Sequence, residues 1–405
     1  MKIGAPFLLV LMVAFLSWLA ASMYGPPWEW YARQDLSHYY ASARILIQGK
    51  SPYAEPLDAA YKHYNLRNSP PIDYATNPPA LVALFVPFSL FSPAEAFVLW
   101  SLFQFISLII ALFLMVRQVS LEPRVRIMLW LSLVSLSAFP VANHFEFCQV
   151  QLLVLLLITV GLVLIDESPG WKAPGYFLWG LTIALKFFTW PLLLLGFSRG
   201  GRRGVCWILA GFIVPTMSVA LIEPTMLLDF VWHGLPLAMN FVVRFFLGSA
   251  TLLGAILHGL YVLTNGTVRL SVKLILMSQI AINLVGAGLF WCLLKRFSSL
   301  PLSYLVALTV MVSCLIAPTG WPHYLTLLLL PLVILYREFM FRREDRVRWW
   351  IAYLLYALPM GRLSYIFPGQ AIWWSWYIVG QFYLLGCLLY TLICWEKELG
   401  GKRTS

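Results

Sequence analysis

Charge is scarce in this chain. Only 11% of its 405 residues are Asp, Glu, Lys or Arg, against about a quarter in an ordinary soluble domain. No stretch is polar enough to make a soluble domain of normal size. The six cysteines (Cys148, Cys206, Cys292, Cys314, Cys387, Cys394) are scattered, mostly in apolar segments, and no CxxC pair exists. That spacing argues against a zinc ribbon and against a disulfide framework. A glycine-rich nucleotide loop is also missing, and no internal repeat is visible. The net charge of +11 does not point to nucleic acid, because the cations fall in short loops between apolar runs.

What is present is apolar surface. Hydrophobic residues make up 61% of the chain. The runs are long and do not alternate, so the expected class is an all-α, polytopic membrane protein rather than a membrane barrel. Twelve spans are expected, at 3–23, 94–116, 127–141, 150–165, 173–185, 187–197, 205–222, 268–294, 301–317, 324–337, 349–361 and 371–395. Residues 3–23 resemble a signal peptide but exceed its usual core length, so a retained first helix is expected. The segment 80–92 is short for a span and reads as a re-entrant or interfacial helix. The stretch 173–197 reads as two short spans broken around Lys186 and Pro191. A single span would carry Arg199, Arg202 and Arg203 to the outer side, against the usual bias.

This layout gives one integral-membrane unit over 1–405 with both termini in the cytoplasm. It puts 18 of the 28 lysines and arginines inside and all six histidines outside. The outer face is then built from two long loops, 24–93 and 223–267, with smaller turns between spans. Histidine titrates near neutral pH, so a face that gathers histidines and carboxylates is where chemistry is expected.

Within that face Asp35 precedes a helix-like stretch, 41–49, with Gly49 as its stop. It reads either as a helix cap or as a general base whose pKa is raised by partial burial. His38, Tyr53 and Tyr74 follow, the last just ahead of Pro78 and Pro79. They read as substrate-binding groups or as ordinary interfacial residues. His144, Glu146 and Gln149 occupy a short outer turn and could read sugar hydroxyls. His144 and Glu146 lack a third ligand for a metal, and neither metal nor cofactor is expected. Lys186 sits between apolar runs, against the charge bias. It is either a functional cation or a snorkelling one. Arg244 has the same two readings. Trp321, His323 and Tyr324 stand at the outer start of a span, where His323 could donate to a phosphate or sugar oxygen, or simply hydrogen-bond at the interface.

Taken in order, these fragments resemble glycosyltransferase family 87, the polyprenol-phosphate-mannose-dependent transferases of the GT-C fold. The resemblance is carried by an early Asp35 followed by Tyr39 or Tyr40, Ala43, Leu46, Gly49, Pro52 and Tyr53. It continues with Tyr74 before Pro78-Pro79, with Gln149 at a helix start, with Ala184-Leu185-Lys186, and with Trp321-Pro322-His323-Tyr324. Two places depart from the family pattern. Cys148-Gln149-Val150-Gln151 stands where the family often has Gly-Gln-x-Asn. Leu247-Gly248-Ser249 and the later His258 stand where it often has Asn-x-Ser ahead of an arginine.

The resemblance implies a GT-C-type bundle whose first outer loop carries interfacial helices. It also implies transfer of a hexose, with mannose as the expected sugar, from a polyprenyl-phosphate donor in the membrane lipid to a glycolipid or glycan acceptor, with inversion. Asp35 would be the base, and Lys186, Arg244 and His323 would bind the donor phosphate. His38, Tyr53, Tyr74, His144, Glu146, Gln149, Trp321 and Tyr324 would bind substrate. The site would lie on the extracytoplasmic side of the cell membrane. The alternatives are a secondary transporter of a polar or lipid-linked substrate, which usually holds its charges near the midplane, and a non-catalytic scaffold.

Overall fold

The computed structural model describes residues 4–22, 34–66, 73–118, 125–167, 169–238, 250–264, 272–318, 320–340, 345–360 and 372–401. The regular elements among these residues are all helices, with no strand. In chain order the α-helices are α1 Gly4–Ser22, α2 Gln34–Ile47, α3 Asp58–His63, α4 Pro79–Ser89, α5 Pro93–Gln118, α6 Val125–Ser137, α7 Phe139–Phe147, α8 Gln151–Glu167, α9 Lys172–Leu185, α10 Pro191–Ser218 and α11 Met226–Asp229. They continue with α12 Leu252–Leu263, α13 Val272–Arg296, α14 Leu302–Ile316, α15 Leu329–Met340, α16 Arg346–Ala357 and α17 Ile372–Gly401. A 3₁₀ helix, Pro322–Leu328, leads into α15.

Among the described residues five stretches are long and apolar enough to cross a membrane: Pro93–Gln118, Phe187–Leu221, Lys273–Arg296, Pro322–Met340 and Trp376–Glu398. A sixth counts if α6 and α7, bent by 66° at their junction, form one broken span. The chain is therefore an all-helical membrane protein. Several expected spans are shorter helices. α14 has 15 residues, about 23 Å at 1.5 Å per residue, against a hydrocarbon core of about 30 Å. All of its residues are buried, so it is the central post of the bundle rather than a lipid-facing element.

The stretch Phe187–Leu221 is not one rod. Gly201 has φ 56° and ψ −148°, outside the helical region. A Cβ on Gly204 would lie 2.6 Å from the Gly196 carbonyl oxygen. Eight residues of continuous helix would separate them by about 12 Å. The chain therefore doubles back at Gly201, which sets Arg199, Arg202 and Arg203 around a turn, as expected from their charge. The helix also breaks at Lys186, where expected.

The segment expected to be the first outer loop carries α2, α3 and α4. Gly49, at φ 70°, closes α2 as its left-handed stop, and Lys50 N–H donates back to the Ile45 carbonyl at 3.3 Å. The segment expected to be interfacial, 80–92, forms α4, with Pro79 in its first turn where no amide partner is lost. The α2 helix packs against α3, α4, α5 and α7. A second apolar cluster of Leu46, Tyr53, Ala75, Val82, Val219, Met226 and Phe230 joins this loop to the beginning of the second.

Candidate active site

The polar centre is assembled from helix ends. Three chain breaks supply it: Cys148–Val150 between α7 and α8, Lys186 between α9 and α10, and the described residues 317, 318, 320 and 321 between α14 and the 3₁₀ helix. Gln149 and Lys186 enter the protein interior at the first two, and His323 does so in the 3₁₀ helix that follows the third. Prolines in the following turns (Pro191, Pro322) restart the helix without wasting a donor. The first turn of α2 faces these breaks and carries Asp35.

Asp35 is half-buried. Its Oδ2 accepts from Gln149 Nε2. Gln149 Oε1 in turn accepts from the Tyr39 hydroxyl at 3.1 Å and from Gln151 Nε2 at 3.3 Å. Burial raises the Asp35 pKa from 3.8 to about 6, opposed in part by the Lys186 ammonium. The aim of Gln149 comes from its neighbour. Cys148 closes α7 in the left-handed region, at φ 53° and ψ 42°, and its carbonyl is held by Trp100 Nε1 at 2.8 Å. A left-handed residue here turns the chain so that Gln149 leaves the axis of α7.

Lys186 is 8% exposed, in extended backbone. Its ammonium lies 5.4 Å from the centroid of the Tyr324 ring, which stacks on Phe188 at 5.0 Å and 10°. Among the described residues it forms no ion pair. Its charge acts on Asp35 and His38, so it is near both. His323 is buried beside Tyr324 and Phe147. Its Nδ1 is 3.2 Å from Asn143 Oδ1, and Asn143 Nδ2 donates to Glu146 Oε2 at 2.9 Å. An amide that donates to a carboxylate has only its oxygen left for the imidazole, so His323 Nδ1 carries a proton.

Other residues named from the sequence are placed differently. His38 has both ring nitrogens occupied. Thr76 N–H, which can only donate, meets Nε2 at 3.3 Å, so Nδ1 carries the proton and donates to Tyr61 at 3.1 Å. Burial, with Lys186 adding to it, pushes its pKa down to about 4, so the ring is neutral near pH 7. It ties α2 to α3 and to the segment before α4. Tyr53 lies in the second cluster, against Phe230 at 5.1 Å, with its hydroxyl donating to the Asn77 carbonyl at 2.5 Å. Tyr74 is half-buried on the segment leading into α4, and Trp321 is half-buried at the start of the 3₁₀ helix. His144 is fully buried in α7. Arg244 lies outside the described residues, as does the side chain of His258.

Asn143, Tyr39 and Gln151 belong to this centre although the sequence did not assign them site roles. Asn143 and Glu146 are three apart, on one face of a helix. That spacing was the available signal, and it is lost when the segment is taken for a turn. No three His, Cys, Asp or Glu side chains gather as a metal site among the described residues. The arrangement can take a proton from a hydroxyl at Asp35 and hold an anion against Lys186.

Compared with known proteins, residues 75–318, more than half of the chain, match the family model described as Glycosyltransferase family 87. No curated protein and no solved structure matches. The matched segment contains Gln149 and Lys186, while Asp35 and His323 lie outside it.

Proposed function

This chain belongs to glycosyltransferase family 87 and is a glycosyltransferase, and from that premise we propose that it moves a hexose, with mannose as the first candidate, from a polyprenyl-phosphate donor to a glycolipid or glycan acceptor at the extracytoplasmic face of the cell membrane, with inversion. The proposal includes a GT-C-type bundle of about twelve crossings with the two outer loops forming the active-site face. The observation that carries it is the meeting of Asp35, a carboxyl with its pKa raised to about 6, with a buried ammonium drawn from a distant helix break.

In this reading the acceptor hydroxyl gives its proton to Asp35 as its oxygen bonds to the anomeric carbon. The bond from that carbon to the phosphate oxygen breaks, and its electron pair leaves with the polyprenyl phosphate. Lys186 and His323 would meet the growing negative charge, and Arg244 is the third candidate for that role. A fixed cation in a water-poor site needs no reorganisation as charge develops, and such groups are worth about 10²–10³ in kcat. A pKa near 6 leaves the base ionised at pH 7 yet more basic than an exposed aspartate.

The test is transfer from radiolabelled polyprenyl-phosphate mannose in proteoliposomes containing a lipid acceptor extract. Wild type is expected to form labelled product and Asp35→Asn is not. Uptake of label without any transfer product would overturn this reading in favour of the transporter. Polyprenyl-phosphate glucose in the same assay decides the sugar.

A further inference from the structure

The polar chain behind Asp35 continues past Gln149. We propose that Gln151 and Tyr39 are positioning residues that together lock the Gln149 amide in the orientation that presents its N–H to Asp35. The inference rests on Asp35 being the base and deepens that reading.

The direction of the chain follows from donor and acceptor counts. An ionised carboxylate only accepts, so the end of the Gln149 amide that meets Asp35 is Nε2. Oε1 then faces the other way, and both groups on that side must donate. Tyr39 does so through its hydroxyl at 3.1 Å and Gln151 through Nε2 at 3.3 Å. A flipped Gln149 would set an oxygen against the carboxylate and an N–H against the Gln151 N–H, whereas the Tyr39 hydroxyl adds one donated bond to Oε1 in the observed orientation. Gln151 is fully buried, with its Nε2 committed to Gln149 at 3.3 Å. Gln104 of α5 holds the adjoining turn through Leu153 N–H at 3.2 Å. The sequence-based role of Gln149 as a reader of sugar hydroxyls does not fit an amide committed at both ends within the protein.

Asp35 is faced by Lys186 from the α9 break, Tyr39 and the neutral His38 from its own helix, Tyr61 from α3 and Cys148 from the end of α7. Tyr324 acts on Tyr39. Of these the variants below change only Tyr39, so a pH profile moved by Gln151→Met, which leaves all of them in place, reports the amide.

The experiment measures the pH profile of kcat and donor KM in the transfer assay for Gln151→Met, Tyr39→Phe, the pair, and Gln149→Leu. Each single change at 151 or 39 leaves one donor on Gln149 and is expected to cost less than about fivefold. The pair leaves none. It is expected to fall about tenfold below the product of the singles, with donor KM unchanged and the acidic limb moved upward. Losses that simply multiply, or a limb that stays in place, would overturn the proposal. Should the pair not accumulate in the membrane, Gln151→Met is added to Gln149→Leu instead. Gln151 acts only through Gln149, so no further loss is expected, and a full additional loss sinks the idea. Asp35→Asn run alongside separates the two failures. An active Asn variant removes the base itself, whereas an inactive one with multiplying singles removes only the lock.

Discussion

Lys186 and Tyr324 meet as ammonium and ring face, 5.4 Å from nitrogen to centroid, where Lys186 stands in extended backbone between helices and Tyr324 in the 3₁₀ helix. A buried lysine held by an aromatic face instead of a carboxylate keeps its charge available. The contact is worth about 1–2 kcal/mol when desolvated, enough to position the ammonium and little enough to yield to a phosphate. In a carboxylate pair the same ammonium would already be neutralised.

Lys186→Met is expected to lower kcat by about 10²–10³, the usual cost of losing one group that meets developing charge. It carries a second signature. The ammonium lowers the Asp35 pKa, so its removal moves the acidic limb of kcat/KM to higher pH. A pH series on the variant checks both. A loss of activity with an unmoved limb would separate Lys186 from Asp35.

Asp35→Asn is expected to cost about 10²–10⁴ in kcat, the range for a positioned base. Wild-type activity should rise with pH through about 6, because the base works only when ionised. The same shift fixes the sign of the stability effect. The folded carboxyl holds its proton up to about 6, the unfolded one only to its ordinary 3.8. The folded state therefore binds more protons between these values, and stability falls as pH rises through that window. The neutral Asn variant avoids this penalty. Thermal unfolding in detergent should show it more stable than wild type at pH 7.5, by on the order of 1–2 kcal/mol after solvent screening, with the gain shrinking toward pH 4.

The parts of this arrangement that show in the sequence are those that oppose a local rule. Lys186 breaks an apolar run, Gly49 stops a helix, and the cluster Arg199, Arg202 and Arg203 demands a turn. Lys186 stood out for that reason, and Asp35 and His323 through the motifs that carry the family resemblance. The left-handed Cys148 was not, because a non-glycine residue gives no sign of positive φ. Asn143 was hidden in an outer turn that proved to be α7. The bonds that His38 makes to Tyr61 and Thr76, and Tyr53 to the Asn77 carbonyl, join segments whose pairing the sequence does not display. Nor does an apolar run fix its own number of crossings. A helix as short as α14 is shielded by its neighbours, and that depends on packing the sequence does not display.

Asn143→Leu removes the amide that links His323 to Glu146 and takes one hydrogen bond from each. Such a loss costs about 1–3 kcal/mol per group. Lower thermal stability and weaker donor binding are expected together, because His323 loses its fixed ring orientation. His323→Gln, which keeps a donor near Asn143, should retain more stability than Asn143→Leu. Equal losses in the two variants would show that Asn143 matters for packing alone.

The position of Lys186 also depends on a close crossing several residues away. A Cβ on Gly180 would sit 1.9 Å from the Ile208 carbonyl oxygen, and one on Gly211 would sit 1.9 Å from that of Phe177. Backbone lies against backbone there, so neither clash can be relieved by rotating a side chain. Small residues allow helices to approach this closely in membranes. Gly180→Ala must push α9 away from the returning limb of α10, and α9 ends at Lys186. Loss of folded protein is expected, or, in whatever folds, a fall in transfer out of proportion to one methyl group. Gly288→Ala is the control, since a Cβ there meets nothing within 4 Å and α13 should gain about 1 kcal/mol in helix propensity. Fluorescence-detected size-exclusion after a heating series ranks the two. A Gly180→Ala protein as stable and as active as the Gly288→Ala protein would mean that the crossing does not hold Lys186 in place.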